Sequence, residues 1–453
     1  MIYIKEKKRE NKNVFEIQTY NDKNKLIYTE ELNFETALKK HENGMTYLLL
    51  YDNDMIPVSD IFNFLNIYLS TSALNSRIKA LNALRLALIF EKIINKKLKD
   101  FDEGDINYLK NFLRGISPAG QVLNFELQTK RSNETINGYL SIYRKYLTFL
   151  NYKNSYLLKE GHTYTMVSSM DSDTDYKVYS YSSSEMVSKE NQRVPMYISV
   201  SEFRNIINEV RTNYTLCEEC IIRLMFESGL RIGEVLGLTG DDIVSEVINN
   251  KKNFIVYIRN RFSDRKDQNA KRCMNITNRK QYETEEYNTY NYGYQLVNIS
   301  ENLFNKINKY IEEVHSYASE NLKDNYTKFT IADKVKRVSK YENDNYYVFL
   351  NTIGKPLSYQ TWNNKLRNIF TSVGIPVDKG SRKNNLNHRF RHGFAMFQIK
   401  FMKMNELQLQ MALRHKNVKS VSVYFRPTLS DEIEIKTNYI KELYNVIPEL
   451  DLS

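Results

Sequence analysis

Hydrophobic positions recur with two different periods along the chain, and the change between them divides it. Residues 1–57 hold short alternating runs, Val14 to Ile17, Leu26 to Thr29 and Tyr47 to Tyr51, set between charged or Asn-rich turns and closed by Pro57. A period near two marks strands, so a small β-rich accessory module is expected there. From Val58 the period becomes helical. Ile78, Leu81, Leu84 and Leu88 mark one face, Ile106, Leu109 and Leu113 a second behind a cap at Asp105, and Ile136, Leu140, Tyr143 and Leu147 a third behind Ser132. Residues 58–160 are therefore expected to form a helical bundle.

Residues 161–194 lose this periodicity in a run rich in Ser, Asp and Lys, which predicts an exposed linker. After Pro195, Ser199 and Glu202 have capping-box spacing, and Phe203, Ile206, Ile207 and Val210 follow at i, i+3, i+4, i+7. A new domain, 195–453, begins there. Its next helix carries the stripe Cys217, Cys220, Ile221, Leu224 and Met225 and breaks at Ser228-Gly229. Strands are predicted at Phe254 to Ile258 and Gln295 to Ile299, on either side of a polar insert over about 259–294. Helices return at Leu303 to Val314 and Tyr359 to Thr371, and the last, Asp431 to Val446, ends at Pro448. The fold class is mainly α with small β-sheets (α+β), the last domain being mixed α/β.

Charge sharpens this picture. The 453 residues carry 65 Lys+Arg against 54 Asp+Glu, a net charge of +11 that suits a polyanionic partner. Arg77, Lys79, Arg85, Lys130, Arg131, Arg144 and Lys145 sit beside the helical stripes and are candidates for DNA phosphates. Cys217 and Cys220 fall on a core stripe and Cys273 is remote, which points to packing in a reducing, cytoplasmic setting and not to zinc or disulfides. No apolar run approaches the roughly 18 residues of a membrane span, and no membrane partner is expected. Neither a Gly-rich phosphate loop nor a G-x-S-x-G elbow is present in the sequence, which removes most support for ATP use or serine hydrolysis. The abundance of Lys, Asn, Ile and Tyr hints at an AT-rich bacterial genome.

Chemistry concentrates late in the chain. In LNHRFRHGFAMFQIK, His388 and Arg391 are three apart and project from one helical face, with Phe394 and Phe397 placed to anchor it. An Arg fork suits two phosphate oxygens, and an imidazole near pKa ~6.5 donates or accepts a proton at neutral pH. The strings GLRIGEVLGL, HRFRHGFAM and LRHKNVKSVSVYF, in that order, resemble the three signature boxes of the tyrosine recombinase (phage integrase) family over about residues 195–430.

The resemblance implies that Arg231 and Arg391 clamp phosphate, that His388 and His415 are the histidines of the second and third boxes, and that Tyr424, nine residues beyond His415, is the nucleophile. It also implies a lysine in a β-hairpin, for which Lys271 is the first choice with Lys266 and Lys280 as rivals, and an acidic brace at Glu234. Arg414 stands where the family usually has glycine, and Gly393 where a small hydroxyl residue is common. Arg389 and Arg414 are further candidates for DNA contact. Physical chemistry agrees with the family's roles: preorganised cations stabilise an anionic phosphoryl transition state. A tyrosine of pKa ~10 is phenolate in only about one molecule in a thousand at pH 7, so it needs a proton acceptor.

The leading reading is a core-binding helical domain and a catalytic domain that clamp duplex DNA together with an N-terminal accessory (arm-like) module, residues 1–57, for which a second DNA contact, a protein-docking arm and plain scaffold all stay open. No cofactor is expected. Four strand cleavages imply a homotetramer on two DNA sites and a covalent 3′-phosphotyrosyl intermediate that needs neither metal nor ATP. The last helix, with Ile435, Tyr439, Ile440 and Leu443 on one side, either docks on a neighbouring subunit or packs on its own domain. Two alternatives share the motifs, a type IB-like topoisomerase and a catalytically silent DNA-binding accessory protein.

Overall fold

A computed structural model describes residues 1–9, 12–40, 45–117, 123–169, 172–185, 194–259, 294–323, 346–377, 386–415, 417–426 and 429–447. The chain divides into two compact units, Met1–Ser188 and Lys189–Ser453. It is mainly helical with small sheets.

In the first unit, β1 (Ile2–Arg9), β2 (Lys12–Tyr20) and β3 (Leu26–Leu32) form an antiparallel meander, and β4 (Thr36–Lys40) pairs with β5 (Thr46–Leu50). The helices are α1 (Ser59–Asn63), α2 (Leu74–Ile94) and α3 (Glu103–Arg114), followed by β6 (Leu123–Glu126) and α4 (Asn133–Phe149). The strand β6 runs parallel to β1, with Ile4 opposite both Ile17 and Phe125. Those residues, with Phe15 and Leu32, enter the same core as Leu81, Phe90, Phe112 and Leu140. Phe112 meets Phe15 and Phe125 at ring separations of 5.7 Å. The expected boundary at Pro57 therefore falls within one hydrophobic core. A four-residue strand that far from β1 in sequence carries no local sign of its partner.

The periodic faces of α3 and α4 are buried as expected, and Ser132 caps α4. On α3 the cap is Asp102, while Asp105 closes the reciprocal capping box. The helix α2 is buried on more than one side. Arg77, fully buried, donates through Nε to Leu65 O and through Nη2 to Thr46 O and Asn66 Oδ1, each within 2.9 Å. Arg144 donates to Leu157 O and Ser183 Oγ at 3.0 Å and lies 4.0 Å over the Tyr181 ring. Arg131 donates to Leu113 O. Arg77 and Arg144 are thus joints of the fold, withdrawn from any DNA face, because a buried guanidinium must spend its N–H groups on protein acceptors. Lys79, Lys130 and Lys145 are exposed.

The expected linker is in part a β-hairpin, β7 (Glu160–Ser169) with β8 (Ser172–Tyr181). Beyond it, Glu185 pairs with Lys110 at 3.0 Å and with Arg114, and exchanges hydrogen bonds with Asn137. The sequence over 161–181 mixes Tyr, Val and Met irregularly with Ser, Thr, Asp and Lys, so its hydrophobic periodicity is weak.

The second unit opens with α5 (Val200–Asn213), capped by the Ser199/Glu202 box. It continues through α6 (Leu216–Glu227), α7 (Ile232–Leu236), the sheet β9 (Ile243–Ile248), β10 (Lys251–Arg259) and β11 (Tyr294–Ile299), then α8 (Glu301–Asn321) and α9 (Tyr359–Ser372). The sheet is antiparallel with β10 central. The last helices are α10 (Leu386–Lys400), α11 (Glu406–Ala412) and α12 (Leu429–Val446). The helix α6 is the centre of the core, with Cys220, Ile221, Ile222, Leu224 and Met225 fully buried. Both its cysteines are buried free thiols. Trp362 of α9 donates to Asn387 Oδ1 at 2.6 Å and seats the first turn of α10.

Candidate active site

Three turns converge at α10, and glycines permit the approach. After α6 the chain turns through Gly229, whose φ of +59° is left-handed, and a Cβ there would lie 2.6 Å from the Phe394 ring of α10. Only glycine relieves both the backbone and the contact. The turn places Arg231 just before α7. Glu234, one turn on, accepts the Arg231 backbone N–H at 2.9 Å through Oε2 and its Nη1 at 3.0 Å through Oε1. The Glu234 side chain is 2% exposed and that of Arg231 34%, so the carboxylate is an internal brace and the arginine reaches solvent.

Arg414 is the second cation on this brace, its Nη2 3.0 Å from Glu234 Oε2 and its Nη1 toward Ser228 O. It occupies the left-handed residue after α11 (φ +54°), where its N–H bonds Met411 O and that of His415 bonds Gln410 O. This is the Schellman arrangement that favours glycine. A non-glycine residue in that region costs roughly 1 to 2 kcal/mol, which the buried charge contact offsets. Arg414 is thus turned inward to Glu234.

On α10, Arg391 is 2% exposed and donates through Nη1 to Gly229 O and through Nη2 to Leu413 O, tying the turn after α6 to the turn after α11. Burial, then the Arg231 and Arg414 guanidiniums, bring its pKa down to about 9. Three of its five N–H donors remain beyond these two bonds. His388 is half-buried, and burial followed by Arg231 and Arg391 lowers its pKa. Arg389 faces elsewhere: buried, it donates to Pro376 O at 2.9 Å and lies 5.9 Å over the Phe370 ring, so it is removed from the candidate DNA contacts. Gly393 leaves room for Ile198, whose N–H donates to Arg389 O at 3.0 Å. A Cβ at 393 would sit 2.5 Å from Ile198 O and 2.8 Å from Phe226, which explains the absence of a hydroxyl residue there. Phe394 is buried, whereas Phe397 stacks on Phe401 at 4.8 Å.

Tyr424 lies on the 3₁₀ turn Ser422–Phe425, 5% exposed, in a small apolar cluster with Phe394, Met396, Leu409, Leu413 and Val421. Its hydroxyl is 2.6 Å from Nδ1 of His392. Burial raises the phenol pKa, against the lowering pull of Arg391 and Arg231. His392 is held down to about 4, by burial first and then by His388, Arg391 and His415. His415 bonds Ser420 Oγ through Nδ1 at 2.8 Å.

Arg231, Glu234, His388, Arg391, His415 and Tyr424 thus come together in one unit. Lys271, Lys266 and Lys280 lie outside the described residues. The residue missed by the sequence reading is His392. It is i+4 from His388 and so shares its face, with rings 5.9 Å apart, but spacing does not say which of the two meets the tyrosine.

A helical fold whose last helices gather arginines and histidines about a tyrosine is that of a site-specific tyrosine recombinase, an enzyme that transfers DNA strands. The model of the phage integrase family matches residues 197–430, and the chain belongs to that family. No curated protein matches it. Similar solved structures include a XerA recombinase, 14% identical over 84% of this chain and 98% of that one with a TM-score of 0.34. A XerH recombinase bound to a palindromic difH substrate is 13% identical over 84% and 94%, TM-score 0.46. The Tn1549 transposon integrase with transposon right end DNA is 12% identical over 84% and 99%, TM-score 0.45.

Proposed function

We propose that Tyr424 Oη attacks a DNA phosphodiester to give a 3′-phosphotyrosyl link and a free 5′-hydroxyl, and that a second strand's 5′-hydroxyl reverses the step. Arg231 and the remaining donors of Arg391 hold the non-bridging oxygens, with His388 and His415 beside them. Lys271 is assigned the proton for the leaving 5′-oxygen. The phosphoester bond is conserved in the tyrosyl link, so strand joining needs no ATP. The cations fill the charge-stabilising role that a metal plays elsewhere. The observation that carries this reading is the convergence of Arg231, Arg391 and the histidines on the Tyr424 turn.

Lys79, Lys130 and Lys145, all exposed, are the DNA phosphate contacts retained from the first unit. A homotetramer on two DNA sites is proposed from the four cleavages required. Support comes from α12, where Ile433, Tyr439, Ile440 and Val446 are each more than half exposed, a face suited to a neighbouring copy. The domain assignment proposed is 195–453 for catalysis and 58–160, with the sheet of 1–57 packed on it, for DNA binding.

The test uses nicked duplexes with a randomised core, from which the wild-type protein traps its preferred sequence as a denaturant-stable adduct. Tyr424→Phe should form none. An adduct with that variant, or none with the wild type on any duplex, overturns the assignment.

A further inference from the structure

We propose that His392 is the catalytic base of this site, its Nδ1 taking the phenolic proton as Tyr424 attacks. The inference rests on the reading of Tyr424 as nucleophile. It starts from the one hydrogen bond described for the Tyr424 hydroxyl, 2.6 Å to His392 Nδ1, with the rings 5.5 Å apart and inclined at 49°. A phenol is the better donor of the two partners and an imidazole nitrogen the better acceptor, so the proton lies on Oη and points to Nδ1, with the other imidazole proton on Nε2. His388 makes no hydrogen bond to Tyr424 among the described residues, although its ring is the neighbour of His392.

The surroundings suit an acceptor. Half-buried beside Arg391, His388 and His415, His392 is neutral at pH 7, so its lone pair is free to receive the proton. A bound phosphate would add negative charge next to a ring that three cationic or basic neighbours now depress, and would raise its basicity when the proton must move. The step balances. The Oη–P bond forms, P–O5′ breaks, the phenolic proton passes to Nδ1, and the 5′-oxygen takes a proton from a separate acid. In the joining step the incoming 5′-hydroxyl attacks and gives its proton back to that separate group, the P–O5′ bond forms, the O–P bond to Tyr424 breaks, and the imidazolium returns its proton to Oη.

The test is His392→Asn, whose Oδ1 can occupy the place of Nδ1 and accept the tyrosine's hydrogen bond without taking its proton. On the duplex trapped by the wild type, single-turnover cleavage at pH 7 should fall about 10²- to 10⁴-fold, with DNA affinity unchanged. The deficit should shrink as pH rises and phenolate forms unaided. A duplex with sulfur in place of the bridging 5′-oxygen needs no acid, so it should not rescue the variant. Near-normal cleavage by His392→Asn, or rescue by sulfur, overturns the proposal: the first makes His392 a positioning residue and the second makes it the acid.

Should that variant misfold, the wild type on the sulfur duplex decides. Its rate should fall at low pH with one ionisation that persists in His388→Gln and His415→Gln, the other titratable groups facing the site besides Glu234 and its arginines. A flat profile overturns the proposal. No adduct by the wild type would instead refute the assignment of Tyr424.

Discussion

Gly393→Ala tests how closely α10 is held against the second unit's core. In an exposed helix the change would stabilise by up to about 1 kcal/mol, because glycine is the poorer helix former. Here the added Cβ meets Ile198 O at 2.5 Å and Phe226 at 2.8 Å, where ordinary contact begins at 3.4 Å. Neither neighbour is free to retreat. Ile198 is bound through its N–H to Arg389 O and immediately precedes the Ser199 cap, while Phe226 is stacked on Phe203 at 3.8 Å. Overpacking of this kind costs roughly 1 to 3 kcal/mol, so the net expectation is a loss of about 1 to 2 kcal/mol. Trp362, the single tryptophan of the chain and fully buried in this unit, reports its unfolding alone. With a urea slope of ~3 kcal/mol/M, the midpoint should fall by about 0.3 to 0.7 M. A midpoint equal to or above wild type would refute the steric reasoning, and Gly393→Ser should behave as Gly393→Ala does.

Arg77→Met should destabilise the first unit by about 3 kcal/mol or more, since Leu65 O, Thr46 O and Asn66 Oδ1 lose a charged donor inside the core. Alanine at Lys79, Lys130 or Lys145 should leave stability alone and each reduce the salt dependence of DNA binding by about one ion; melting and binding across a salt series separate the two classes. Acid should weaken the second unit through His392. Its pKa of about 4 in the fold lies below the ordinary ~6.5 of the unfolded chain, so its contribution is complete above pH 6.5 and is lost as pH falls toward 4. The linked loss is ~3 kcal/mol, and urea midpoints of wild type and His392→Asn should converge over that window.

Much of the fold was legible because local period reports local burial. The faces Ile106/Leu109/Leu113 and Ile136/Leu140/Tyr143/Leu147 and the Ser199/Glu202 cap each depend on residues within a few turns of one another. Strand β6 depends on a partner more than a hundred residues away, and the sequence of hairpin β7–β8 mixes apolar residues irregularly with Ser, Thr and Asp, so no clear period announces it. Basic residues were the least legible. Arg77, Arg144 and Arg389 look the same in sequence as Lys79 or Lys145, and only the carbonyls that other segments bring to them turn them inward.

By itself the sequence determined the order of the three boxes, the helical stripes that carry them, and therefore the family and its tyrosine chemistry. The tertiary structure decided what each side chain faces. It tied Arg391 to the turns at Gly229 and Leu413, gave Arg414 to Glu234, and set His392 rather than His388 against Tyr424. The reason is physical: spacing along a helix fixes which residues share a face, but which of them meets a reacting atom depends on where a distant turn is packed.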